Sequence, residues 1–284
     1  MNTPRGRISS NLRRSAFCCV LVAAVVCSWP ANAQTVPSTN PDELPQLRPG
    51  VVAGYIPREN LIDSLALLPP PPAEGSEGLV ADEETGRAVI RFRESARWKL
   101  ASRDADYMSP KAVDAFACAL GMTITPADTP HLNMLLRRSL VDAGLATYKA
   151  KNHYSRTRPF VAANDSTICS PQDEAMLRKD GSYPFGHAAF GWAWALILAE
   201  MVPGKADAII QRGYDFGQSR IVCGVHWQSD VNAGRLVGAA VVAQLHANAD
   251  FKAQFAAAQK EVAAAGPADK PAPDCTLEQQ AMPR

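Results

Sequence analysis

Apolar residues recur at three- and four-residue steps over most of the chain, and the period-two alternation of half-buried strands is nearly absent. Between Thr129 and Tyr148, the residues Leu132, Leu135, Leu136, Leu140 and Leu145 mark one helical face. Val89, Ile90, Phe92, Trp98 and Leu100 do the same within Thr85–Ala105. Ser109–Leu120 places Pro110 at a first helical position. Lys205–Ile221 and Arg235–Ala265 read as further helices, the second Ala-rich and broken near Asp250. Phe190–Met201 is too apolar for a surface helix and too short for a membrane span, which makes it a core helix. Together these elements predict an all-α fold, a single-domain helical bundle.

The ends of the chain read differently. Arg5, Arg7, Arg13 and Arg14 precede the apolar run Ala16–Ser28, and Ala31-Asn32-Ala33 has the small-x-small form of a cleavage site. Residues 1–33 therefore read as a secretory signal peptide, and the expected location is periplasmic or secreted. Residues 34–75 form a proline-rich arm, with a short helix over Leu61–Leu68; whether it docks or stays loose is open. Residues 76–266 make the helical domain and 267–284 a C-terminal tail.

Removing the leader takes away four arginines and no acids, which turns the formal charge of +1 into −3. With no basic tract, a nucleic-acid partner is not expected, and after signal removal neither is a membrane. Four cysteines remain, Cys118, Cys169, Cys223 and Cys275, an even number in an exported chain. Sequence does not choose among their three pairings; Cys118–Cys169 with Cys223–Cys275 is the expected one.

Three clusters carry chemistry. Lys151 and Arg158 are seven apart and would share a helical face if the helix ran on to Pro159. The turn Gly181-Ser182-Tyr183-Pro184-Phe185-Gly186-His187 opens an apolar helix, so free backbone N–H groups and the positive end of a dipole would flank an imidazole there. In Ser219–Asp230, Arg220 is followed by His226 and Asp230 at a spacing that lets the carboxylate fix the tautomer of the ring.

Lys-x6-Arg-Pro, Pro-x-Gly-His and Ser-Arg-x5-His-x3-Asp, in that order, resemble the tripartite signature of the phosphatidic acid phosphatase type 2 superfamily, which includes the vanadium haloperoxidases. GSYPFGHAAFGWAWAL and RGYDFGQSRIVCGVHWQSDVNAGR are similar to its secreted branch, the class A bacterial non-specific acid phosphatases. The resemblance implies hydrolysis of small phosphate monoesters through a phosphohistidine, with phosphotransfer as a side activity and no metal or other cofactor. Lys151, Arg158, Arg220 and the backbone N–H groups of Gly186 and His187 would hold phosphate, with Phe185 at the same phosphate-binding turn. His226 would be the nucleophile, Asp230 its orienting partner and His187 the acid and base. Homo-oligomers are also implied. A vanadate-dependent haloperoxidase, or a phosphate-binding protein with weakened catalysis, is the alternative.

One position departs from the signature. Phe185 stands where the family carries serine, so a hydroxyl donor to phosphate is missing. On this reading Phe185→Ser raises turnover, and the natural ring shapes substrate choice by covering the phosphate site. Ser182 is the neighbouring hydroxyl that could stand in, and Tyr183 is a candidate for the rim of the site.

Overall fold

Thirteen α-helices lie among the described residues of the computed structural model, which are Met1, 35–109, 111–265 and 274–282. The leader read as a signal peptide, beyond Met1, and Pro110 fall outside them. In chain order the helices are α1 (Ser64–Leu67), α2 (Glu77–Val89), α3 (Ala96–Ala105), α4 (Ala117–Leu120) and α5 (Pro130–Ala146). Next come α6 (Tyr148–Tyr154), α7 (Pro159–Ala162), α8 (Glu174–Leu177) and α9 (Gly186–Met201). The last four are α10 (Ala206–Val222), α11 (Gln228–Leu245), α12 (Ala249–Ala264) and α13 (Thr276–Ala281). Gln46–Arg48 and Val51–Val52 pair as a small antiparallel hairpin, β1 and β2. The fold is all-α.

The core forms around α9, whose Ala189, Trp194, Ala195, Ile197 and Leu198 are sealed from solvent on nearly every side. α5, α10 and α11 pack on it, α12 covers α5, and α3 and α13 extend the layer beyond α10. An apolar helix with no polar stripe can only be buried, and here it is the axis of the bundle.

Local breaks depart from the predicted elements. Thr85–Ala105 is two helices rather than one, separated where Glu94 adopts a φ of 63° and Ser95 caps α3 by accepting from the Trp98 N–H. Arg235–Ala265 is broken near Asp250 as expected, with Asn248 capping α12 through the Phe251 N–H; the departure is that its first helix starts earlier, at Gln228. A side chain that satisfies a new N-terminus ends the previous helix more sharply than periodicity can reveal.

The proline-rich arm is docked. Asp142 on α5 accepts from the N–H groups of Tyr55 and Ile56 at 2.9 and 3.1 Å, while Arg138 donates to the carbonyls of Ala53 and Gly54. Burial holds the Asp142 carboxyl up at about 6 despite those donors. A Cβ on Gly54 would lie 1.9 Å from an Asp142 oxygen, so the close approach needs glycine.

The disulfides pair differently from the sequence expectation: Cys118 with Cys275, and Cys169 with Cys223. The cysteines nearest in sequence are not the nearest in space. The chain returns after α12 so that α13 lies on α3 and brings Cys275 to Cys118 on α4. The loop carrying Cys169 folds against the end of α10.

Candidate active site

Lys151 sits near the end of α6, which stops at Tyr154 because Ser155 turns left-handed at φ 42°. The expected helix running through to Pro159 is therefore absent, and Lys151 and Arg158 do not share a helical face. Arg158 is instead the extended N-cap of α7, the backbone that a residue before proline prefers. The two cations still converge, because Asp180 takes both: its Oδ2 is 3.0 Å from Lys151 Nζ and 2.9 Å from an Arg158 Nη2. Asp180, one residue before the Gly181 turn, carries no sequence signal for this task.

Arg220 comes from the last turn of α10. That helix is fixed to α3 by a buried bidentate pair between Arg212 and Asp104, and Ser219 donates to the same carboxylate. Arg220 itself is buried with weak partners only, the Ser170 hydroxyl at 3.3 Å and the Cys223 sulfur at 3.6 Å, and its Nε has none. Burial and the neighbouring Arg158 bring its guanidinium down to about 10. A buried cation without a carboxylate is the environment an anion would complete.

His226 precedes α11, and Asp230 lies in that helix's first turn. The Asp230 Oδ2 accepts from His226 Nδ1 at 3.3 Å and from the Trp227 N–H at 2.9 Å. Arg158 Nη1 donates to His226 Nε2 at 2.7 Å. Both contacts demand the same neutral tautomer: the proton on Nδ1 and the lone pair on Nε2, aimed among the cations. Burial, then Arg158 and Lys151, hold the His226 pKa well below its ordinary value.

Behind this pair lies a group that sequence reasoning missed. Arg156 donates to Asp230 Oδ1 at 2.7 Å, to the Ser229 hydroxyl at 2.7 Å and to Asp82 on α2 at 2.8 Å. Asp82 also accepts from the Ser229 N–H and hydroxyl. Arg156 lies inside the Lys-x6-Arg-Pro segment, which is a weak signal; Asp82, 74 residues earlier in the chain, offers none.

The turn before α9 delivers Phe185, Gly186 and His187. Phe185 is the N-cap and gives no side-chain cap, so the first N–H groups of α9 have no such partner. His187 donates Nε2–H to the Ala105 carbonyl at 3.1 Å, which leaves Nδ1 for proton exchange. Burial, then Arg220, keep its pKa well below the usual histidine range. Tyr107 lies edge-on to it, with ring centroids 4.7 Å apart. Phe185 touches both imidazoles, at 3.7 Å from His226 and 5.2 Å from His187.

Two neighbours fall elsewhere. Tyr183 is buried and donates to the Pro69 carbonyl at 2.7 Å, which ties the arm to the core rather than lining a rim. The Ser182 hydroxyl is directed at the Thr157 carbonyl and Asp230, so it supports that carboxylate and does not replace the missing serine.

Residues 132–252 match the PAP2 superfamily. A non-specific acid phosphatase of Providencia stuartii is 46% identical over 210 residues, covering 74% of this chain and 84% of that protein. An acid phosphatase of Zymomonas mobilis is 42% identical over 221 residues, covering 77% and 83%. A non-specific acid phosphatase of Salmonella typhimurium is 43% identical over 205 residues, covering 72% and 82%.

Proposed function

The chain belongs to the PAP2 superfamily, and from that premise we propose that it is an acid phosphatase, a phosphoric monoester hydrolase acting through a phosphohistidine on His226. One observation carries the reading. Lys151, Arg158 and Arg220 are buried around the His226 lone pair, and among the described residues only Asp180 forms ion pairs with them. That surplus of positive charge suits a phosphate group, and phosphoryl transfer needs little beyond positioning and dispersed charge.

Arg158, Lys151, Arg220 and the N–H groups of Gly186 and His187 hold the phosphate oxygens, Arg158 leaving the imidazole to do so. His226 Nε2 forms the N–P bond as the ester O–P bond breaks, and His187 passes its proton to the departing alkoxide. A water then gives its proton to His187 and attacks phosphorus, releasing phosphate and restoring the free imidazole. An alcohol in place of water would yield a transferred phosphate ester. Because burial and Arg220 depress the His187 pKa, the proton needed at the start is present at acid pH or when a phosphate anion lies beside it. The leader and the two disulfides support export.

His226→Ala abolishes both p-nitrophenyl phosphate hydrolysis and the trapping of labelled phosphate on alkali-quenched protein, where the N–P bond survives. Full activity in that variant rules out the assigned nucleophile. A phosphate-binding protein with weakened catalysis is the second reading, favoured by the ring of Phe185 lying on the nucleophile.

A further inference from the structure

Phe185 is 2% exposed, and its ring is nearly parallel to the His187 imidazole, 15° apart, and tilted 33° from that of His226. A phosphorus atom attacked by His226, with its leaving oxygen protonated by His187, has to sit between these two side chains. The phenyl ring takes that position. Around it the cations are left to other partners: Arg158 Nη1 donates to the His226 lone pair, and Arg220 Nε is buried with none. A ring and a phosphoryl group cannot share one space, so the ring has to leave before an ester binds.

A destination lies alongside. A cavity of about 280 Å³ is lined by Val89, Ile90, Trp98, Phe160, Ile221 and Trp227, with His226 in its wall. His187 does not line it. The cavity is therefore not the seat of the leaving group, which departs on the side of phosphorus away from His226. Phe185 does not itself line the cavity, but Ile221 belongs to the same apolar cluster as Phe185, Val89 packs against that cluster, and both line the cavity, so the ring lies one side chain away from it. Glu83, Arg87, Arg93 and Asp165 also line the cavity, and Val89, Phe160, Ile221 and Trp227 give a phenyl ring an apolar wall to pack on.

We propose that Phe185 plugs the oxyanion space between His187 and His226, and that an anion enters when the ring turns into the cavity bounded by Val89, Ile221 and Trp227. Phe185 then decides which ligands gain access: an ester must bind strongly enough to displace the ring, which favours phosphates rich in negative charge. The proposal rests on the phosphatase reading only for the identity of the anion.

The test titrates inorganic phosphate into the full exported chain by calorimetry, while tryptophan emission is followed, because Trp98 and Trp227 line the cavity. Phe185→Ala, which removes the ring without adding a hydroxyl, should bind phosphate at least about tenfold tighter and lose the emission change seen in the parent. Val89→Phe, which fills the cavity, should weaken phosphate binding about tenfold in the parent and leave Phe185→Ala unaffected. Should Val89→Phe lower the melting temperature, Ile90→Trp at the exposed rim replaces it. Equal phosphate affinity with and without the ring overturns the plug while leaving ester hydrolysis, and so the phosphatase reading, untouched. Equal weakening by Val89→Phe in both backgrounds also overturns it. Tighter phosphate binding by Phe185→Ala with no ester hydrolysis in either form keeps the plug and sinks the phosphatase reading.

Discussion

Arg156 joins three things that are distant in sequence: Asp230 behind the candidate nucleophile, Ser229 at the start of α11, and Asp82 on α2. The group is buried, so its charges depend on one another rather than on water. Burial alone pushes the Asp230 pKa up, and Arg156 is the first group that opposes it. Arg156→Ala would leave two buried carboxylates without their cation, at a cost of about 3–5 kcal/mol in stability. It would also lower kcat by about a hundredfold through loss of His226 orientation. Arg156→Lys keeps the charge but not the planar fork, so it should recover stability more than kcat. Thermal melts and pH–rate profiles of both variants check this; a profile unmoved in Arg156→Ala would confine the residue to a structural role. The motifs gave away His226, Asp230, Lys151, Arg158, Arg220 and His187 as candidates because their spacing is local. They could not give away Asp180 or Asp82, whose contacts depend on where other elements lie.

Glycine and alanine set the distance between the central helices. A Cβ on Gly238 would come within 2.2 Å of the Ala189 carbonyl oxygen, and one on Gly234 within 2.3 Å of that of Phe185. α11 therefore runs against the backbone of α9 at the turn that carries Phe185, Gly186 and His187. The Phe185 N–H donates to the Asp230 carbonyl at 3.1 Å, which fixes the two helix starts to each other. Gly238→Ala should separate α9 from α11, cost about 1–3 kcal/mol and lower kcat/KM by displacing His187 from His226. Melting temperature and p-nitrophenyl phosphate kinetics measured together decide it, and unchanged values of both would mean that the helices are not seated as tightly as the geometry requires. Continuous apolarity over too short a span to cross a membrane made α9 legible as a core helix. It did not mark the glycines of α11 as contact points, since a glycine in a helix is silent about what approaches it.

For the whole molecule, the candidate site has a pH signature. His187 and His226 are held well below 6.5 in the folded state, chiefly by burial. The unfolded chain takes up protons on them as pH falls through about 6.5, and the folded chain does not, so stability present above that pH is lost on acidification. For buried His226 the loss reaches up to about 1.4 kcal/mol per pH unit. Asp142, raised to about 6, and Asp230, also raised, act in the opposite sense: folded, they take up protons before the unfolded chain does, and they slow the decline below pH 6. Melting temperature should therefore fall between pH 7.5 and 6, and His226→Asn should flatten that fall. Inorganic phosphate should restore most stability at the acid end, where His187 accepts its proton beside the anion. A melting temperature independent of pH across this window contradicts the buried neutral imidazoles.

By itself the sequence determined that this is a helical protein with a buried apolar axis, and it nominated the order and spacing of the phosphate-binding candidates. Those properties are written in residues a few positions apart, where periodicity and capping act. Tertiary structure alone decided which cysteines pair, that the arm docks on α5, that Asp180 meets Lys151 and Arg158 while Asp82 meets Arg156, and that the Phe185 ring lies against the His226 imidazole. Each is a contact between segments tens to hundreds of residues apart, fixed by how helices pack and not by any preference of the segment itself. A phenylalanine in a turn reads as a lost hydroxyl; only its neighbours in space show it as a ring lodged between two imidazoles.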